Sequence, residues 1–307
     1  MIAHQEELAS IKTAAKLAGK KKELQSQDVL FLVGVQGAFL AGEVDIPTVL
    51  IDHGAAATQT SLKNFYNNQV APVVEWASED NKNQILSEFE YAFKNPDVVI
   101  SDSKYKASVL KNYFNVDSRI IHSPIRRNMF RPTDTEGDYF IWSQRLIPFS
   151  RIDVLLKTFT ELDETIYITG DGRERQKSIV KYYADDNDNI HYLGYVEQNE
   201  FVELLSGAKA LIHTKQKDEF PYIVREAHAA GTPAIASNYG GVPIIMNSEL
   251  GILHSNSAQS LTRAVESFEQ DKYDESILRE STKKYDPEIV LPQYKQAARD
   301  AIKLHNI

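Results

Sequence analysis

Apolar and polar positions alternate along this chain with two periods. Short β-rich apolar runs recur, each bounded by Gly, Asp, Pro or Ser. In the first part they are Val29–Val35 (VLFLVGV), Pro47–Ile51 (PTVLI), Val98–Ser101 (VVIS) and Ser118–His122 (SRIIH). Consecutive apolar positions of this length predict strands buried on both faces, as in parallel sheets. From residue 139 the runs return at regular intervals: Tyr139–Trp142, Thr165–Thr169, Ile190–Leu193, Ala210–His213, Ala234–Ala236 and Ile252–His254. The segments between them, near 151–161, 173–184, 198–207, 222–230 and 257–268, have helical periodicity. Helices are also predicted for 1–26, for polar segments up to about Asn95, for Lys104–Phe114 and for Pro287–Ile307, after which no strand follows. Strand and helix alternating in this way predict an α/β architecture with parallel sheets flanked by helices. Arg131–Asp138 (RPTDTEGD) combines proline, glycine, small polar residues and charge, and reads as a linker.

Composition narrows the picture. The chain has 307 residues, 42% hydrophobic and 25% charged, with no cysteine and a net charge of −9. Disulfides, thiol nucleophiles and thiolate metal sites are excluded. No apolar run reaches the roughly 18 residues of a spanning helix, and no apolar segment of signal-peptide type follows the N-terminus, so the expected location is cytoplasmic. Residues 1–135 hold 15 basic and 16 acidic residues, whereas the remainder holds 19 and 27. So acidic a second half argues against broad nucleic-acid binding there. Lys12, Lys16 and Lys20 recur every four residues, with Lys21 and Lys22 adjoining. This stripe reads as a solvated helix face. The alternative is an anionic lipid contact, which would place the chain peripherally on the inner membrane surface.

In open α/β sheets, ligands bind beyond the carboxyl ends of the strands. After Tyr139–Trp142 comes SQRLIPFSRIDVLL, where Arg145 and Arg151 are candidate diphosphate ligands because a guanidinium donates in a fork. After Thr165–Thr169 come Gly170 and Gly172, and after Ala234–Ala236 come Gly240 and Gly241. Both pairs would let a ligand approach the backbone, and the plain reading of the first is a tight turn. After Ala210–His213 comes DEFPYIVREA. Asp218 precedes a helix and Glu226 lies two turns inside it, about 10 Å apart. The helix start between them, at Tyr222 and Ile223, offers free N–H groups and the positive end of the dipole to a phosphate. Sugar, diphosphate and ribose have this layout. The bland reading is an N-cap aspartate and a solvated glutamate. In the first half, His53 and Gly54 directly follow a strand.

These segments together resemble the retaining glycosyltransferases of GT-B fold, family four. The match runs from about Asp28 to Tyr294, strongest over 139–254 in SQRLIPFSRID, ITGDG, NIHYLGYV, DEFPYIVREAHAAGTPAI and NYGGVP. IPTVLIDHG, DVVISDS and FRP match in the first half. The resemblance implies two Rossmann-like domains: a reduced acceptor-side domain over 1–133 and a nucleotide-sugar domain over 138–286, with a final helix, 287–307, returning to the first. It implies that Arg145 binds the donor diphosphate, Asp218 faces the donor sugar, Glu226 holds the ribose, His53 sits near the reacting sugar, and Tyr195 and Val196 meet the base. It also implies a metal-independent reaction with no cofactor beyond the nucleotide-diphosphate sugar, a UDP- or GDP-sugar being the expected donor. The first domain is shorter than the family's usual one, so a second copy or a partner chain completing it is an alternative to a minimal sheet. Four departures stand out. The family's lysine falls on Ser150, its first Glu on Asp218, a glycine on Pro221 and a later Glu on Ile244. The reading is therefore a retaining glycosyltransferase acting on an acceptor hydroxyl that the sequence does not identify. A weak or silent GT-B subunit working with a partner and a nucleotide-sugar epimerase are the alternatives.

Overall fold

A computed structural model of the chain describes residues 26–52, 91–132, 137–216 and 218–307. They form two compact units, Met1–Ser123 with Glu288–Ile307, and Pro124–Pro287. The architecture is the α/β one expected.

The first unit carries strands β1 (Leu30–Val33), β2 (Thr48–Asp52), β3 (Val98–Ser101) and β4 (Arg119–Ile120), parallel and in that order among the described residues. The VLFLVGV run is not strand throughout. Gly34 takes φ 68°, a left-handed conformation that glycine adopts without a Cβ penalty, and helix α1 (Gly34–Ala41) starts there. Helix α2 (Lys104–Phe114) begins where Ser103 Oγ accepts from the Lys106 N–H and ends on left-handed Asn115. Leu40, Leu50, Phe93, Val99, Leu110 and Phe114 form one core of this unit. The other is closed by the last helix, α10 in the numbering below, whose Val290, Ala297 and Ala301 pack on Val49, Val98, Ile100 and Ile121. Spacings of seven and four put those three side chains on one helix face, and two alanines let the helix lie close to the strands.

The second unit is a six-stranded parallel sheet: β5 (Phe140–Ser143), β6 (Ile166–Thr169), β7 (Ile190–Gly194), β8 (Leu211–His213), β9 (Ala234–Ser237) and β10 (Gly251–His254). The spatial order is β10-β9-β8-β5-β6-β7. The chain builds outward from β5 to β7, then returns to place β8 on the other side of β5. That reversal opens a crevice between the loops after β5 and β8, where ligands of doubly wound sheets bind. Its helices are α3 (Ile152–Phe159), α4 (Glu174–Asp186), α5 (Gln198–Ser206), α6 (Tyr222–Ala230), α7 (Val242–Ile245), α8 (Ala258–Glu266) and α9 (Glu275–Ser281), and α10 (Pro287–His305) follows. The short α7 and α9 were not foreseen from the sequence. Phe140, Trp142, Ile166, Ile168, Ile212 and Ile235 are fully or almost fully buried beneath α3 and α8, and Ile141, Leu211, Ala234 and Ala236 pack on the opposite side with α6. No helix among the described residues is long and apolar enough to cross a membrane.

Candidate active site

The two loops that flank the reversal are tied to each other. Thr214 Oγ1 donates to Ser150 O at 2.6 Å and accepts from Trp142 Nε1 at 2.9 Å, and Gln216 N donates to Phe149 O at 2.8 Å. The crevice floor is therefore fixed by the residues that leave β5 and β8.

Of the cations predicted there, Arg145 is exposed, and its guanidinium makes no hydrogen bond or ion pair among the described residues. Arg151 is different. It caps α3 from a left-handed conformation, φ 52°, and its guanidinium is held by Asp153 at 3.0 Å. Ser150 is fully buried and its hydroxyl donates to Ile147 O at 2.7 Å, closing its own turn.

Asp218 sits at the other side of the crevice. Its Oδ2 lies 3.2 Å from His213 Nε2 and 3.1 Å from Lys215 Nζ. Burial favours the protonated acid, but the contacts to His213 and Lys215 outweigh it and hold the carboxyl well below its usual range. His213 is itself fully buried, with Nδ1 3.4 Å from Ser237 Oγ, which donates to Lys215 O at 2.8 Å. Behind it, His254 Nε2 donates to His213 O at 3.1 Å, while His254 Nδ1 accepts from Asn256 N. Burial pushes His254 down to about 4, so this ring is neutral at physiological pH. The sequence reading assigned no role to His213. Its signal was there: an ionisable residue closing an apolar strand five positions before the acid.

Glu226 lies in the second turn of α6, partly buried, and its carboxylate has no hydrogen bond or ion pair among the described residues. Burial raises its pKa, opposed by Arg225. The start of α6 has no side-chain cap, because Pro221 occupies the N-cap, so the N–H groups of Tyr222 and Ile223 lack intrahelical partners.

The glycines serve a different close approach from the one expected. A Cβ on Gly240 would strike Asp218 O, and one on Gly241 would strike Glu219 O. Gly241 N also donates to Asp218 O at 2.9 Å. Gly170 and Gly172 stand in the same relation to the carbonyls of Gln144 and Leu146. Each pair lets one post-strand loop lie against its neighbour, so the glycines position the site by packing. Tyr195 is exposed and Val196 half-buried just beyond β7, after left-handed Gly194. His53 and Gly54 lie outside the described residues.

The same end of the sheet holds polar atoms that are buried without a partner: the Gln144 amide after β5, Thr169 Oγ1 ending β6 and the Asn256 amide after β10. Such atoms are rare in folded proteins and gather where a ligand or ordered water completes the bonding. Among the described residues no cluster of three or more His, Asp or Glu is arranged to hold a metal ion.

The family model for glycosyl transferases group 1 matches residues 126–288. The chain belongs to this family. An uncharacterized glycosyltransferase, MJ1178 of Methanocaldococcus jannaschii, is 24% identical over 229 residues, 73% of this chain and 58% of that protein. A D-inositol 3-phosphate glycosyltransferase of Corynebacterium aurimucosum is 28% identical over 160 residues, 48% of this chain and 38% of its own. The chain thus spans well under two thirds of these relatives. Among solved structures, a sucrose-phosphate synthase of Thermosynechococcus elongatus superposes with TM-score 0.80 at 17% identity, covering 95% of this chain and 79% of that one. Anabaena Alr3699/HepE, solved in complex with UDP, gives TM-score 0.70 at 16% identity, covering 93% and 81%. These are GT-B glycosyltransferases, and they establish the fold of this family member.

Proposed function

We infer that this family member is a retaining glycosyltransferase, moving a sugar from a nucleotide-diphosphate sugar to an acceptor hydroxyl without a metal. The observation that carries the reading is Glu226, a partly buried carboxylate without a partner on a helix whose uncapped start follows the crevice loop. A ribose diol supplies the two O–H donors that such a carboxylate lacks, and a diphosphate suits the helix start. Complexes of Alr3699/HepE with UDP support this kind of donor.

In this reading Arg145 and the N–H groups of Tyr222 and Ile223 bind the diphosphate. As the sugar becomes oxocarbenium-like, negative charge grows on the leaving phosphate, and preorganised donors stabilise it there. Asp218, kept ionised by His213 and Lys215, accepts hydrogen bonds from sugar hydroxyls. Tyr195 and Val196 meet the base, and His53 the reacting sugar. The acceptor hydroxyl attacks from the leaving-group face and passes its proton to the departing phosphate oxygen, so no carboxylate nucleophile is used, unlike a retaining glycosidase. In this scheme residues 1–133 form the acceptor side, 138–286 the donor side, and the helix 287–307 returns to the first.

The test is a melting-temperature screen against UDP-, GDP- and ADP-sugars, followed by transfer or hydrolysis assays in EDTA with the donor that shifts Tm. Arg145→Ala lowers kcat/KM by about 10²–10³, the usual cost of one transition-state donor. A second reading, a silent subunit, is favoured by the commitment of Arg151 to Asp153 and of Ser150 to its own turn, which leaves Arg145 as the free guanidinium of that loop. Donor binding without turnover by the intact chain would select it, and sugar interconversion without an acceptor would overturn both.

A further inference from the structure

Helix α4 lies on the outside of the second unit, and its outer face is not built like a solvated one. Its inner side is set by Val180, fully buried, with Tyr183 and Ala184 packed on the same core. At about 100° per residue, Arg175, Ile179, Tyr182 and Asp186 then share one stripe, roughly 60° wide, on the opposite side. Their spacing of four, three and four is that of a seam along which two helices pack. Ile179 is 44% and Tyr182 66% exposed. An open groove of about 640 Å³ runs along the stripe, lined by Arg175, Ser178, Ile179, Tyr182 and Tyr183. The Tyr182 ring meets that of Tyr183 edge to face, with centroids 5.9 Å apart, so it is already positioned. One exposed apolar side chain is ordinary. An aliphatic and an aromatic side chain together, at the middle of an outer stripe, have the form of an interface anchor.

The charges at the two ends of α4 say what meets it. Arg173 and Arg175 stand at its start, Asp186 and Asp188 at its end, all exposed and none in an ion pair among the described residues. The helix dipole favours the reverse order, acids at the start and bases at the end. The last turn of α4 holds no basic residue. The stripe is therefore not arranged for the stability of α4 alone. It is, however, its own complement. About a point midway between Ile179 and Tyr182, Arg175 maps onto Asp186, Ile179 onto Tyr182 and Arg173 onto Asp188. A two-fold dimer joins a patch to itself, so that residue i meets j while j meets i.

We propose that α4 is a homodimer interface. Two copies pack α4 antiparallel, with Arg175 of each against Asp186 of the other and Arg173 against Asp188. The Ile179 and Tyr182 side chains of both copies cross at the two-fold axis. A helix of 13 residues is about 20 Å long, which puts the contact at the small end of specific interfaces, below about 1,200 Å² in total. The dimer is therefore weak and concentration-dependent, and salt weakens it further because its ion pairs face solvent. The proposal stands on the second unit alone and is independent of the donor crevice and of the transfer reaction assigned to it.

Sedimentation equilibrium of the full chain, from about 5 to 500 µM, tests this in the range where weak dimers form. Reversible dimerisation is expected, several-fold weaker in high salt than in low. Arg175→Glu and Asp186→Arg each present like charges to their own copies, so each alone should be monomeric. Mixed, the two variants present opposite charges to each other on both sides of the axis, and the mixture should dimerise. Ile179→Asp should remove association in the wild-type background. All three positions are exposed, so Tm of each variant should stay at that of the wild type. A wild-type chain that is monomeric at every concentration overturns the proposal and leaves the stripe to a different protein. A dimer that persists in both single variants also overturns it and moves the contact elsewhere, as does a mixture that stays monomeric.

Discussion

At the scale of single residues, the site is defined by which charges are already spent. Glu226 is a carboxylate that folding penalises. Its pKa is raised by burial, so the native state binds its proton more tightly than the unfolded chain does, and stability is lost as pH rises through the folded value. Glu226→Gln removes that penalty. Its Tm should exceed that of the wild type at pH 8, and the difference should close as pH falls below the ordinary glutamate range. Donor binding should fall in the same variant. A lower Tm at pH 8 would show that the carboxylate has a structural partner. Asp218 has the opposite sign. Burial raises its pKa, but His213 and Lys215 more than reverse this, so its contribution to stability is present above the ordinary carboxylate value and lost only at still lower pH. His213→Gln leaves burial opposed by Lys215 alone. The acid limb of kcat against pH should then move upward, with kcat at its plateau falling about ten-fold, the worth of one charge-assisted bond. An unmoved acid limb would deny His213 the positioning of Asp218.

At the scale of elements, the loops beyond the strands are held by one another. Gly241 is the tightest join, since any Cβ there meets the Glu219 carbonyl. Gly241→Ala should push the 218–219 backbone outward, lower stability by about 1–3 kcal/mol in urea unfolding, and raise KM for the donor. A normal KM would mean that the turn yields without moving Asp218. Much of this layout was legible. Runs such as VVIS and the ITGDG turn mark strand ends because consecutive β-branched residues suit a strand buried on both faces. The β1–α1 boundary was hidden because VLFLVGV is apolar throughout, and only the left-handed Gly34 divides it. The α7 turn was hidden because four residues have no helical period to read. The places of Asp218 and Glu226 around the α6 start, and of Arg145 after β5, could be read from the strand and helix pattern, whereas the His213 contact required β8 and its following loop to fold back on themselves. The glycine pairs were legible as close approaches, but their partner was the next loop, which no local pattern specifies.

At the scale of the whole molecule, the chain divides so that its last helix belongs to the first unit. Both cores of the second unit draw only on residues between 125 and 285. One core of the first unit needs Val290, Ala297 and Ala301 to cover Val49, Val98 and Ile100, of which Val49 and Ile100 are fully buried. Uncovering residues of this type costs about 1.5–3 kcal/mol each, and an exposed sheet face of three or four such side chains exceeds what a small domain has to spare. A chain ending at Pro287 should therefore lose the unfolding transition of the first unit in calorimetry while keeping that of the second, with the Tm shift from donor intact. Ala301→Glu makes the same point with one residue: an unpaired charge set against the sheet should cost about 3–5 kcal/mol in the first unit alone. If the truncated chain instead loses both transitions together, the second unit depends on the first for its stability. The donor crevice would then be a property of the whole chain, and donor affinity should fall in Ala301→Glu as well.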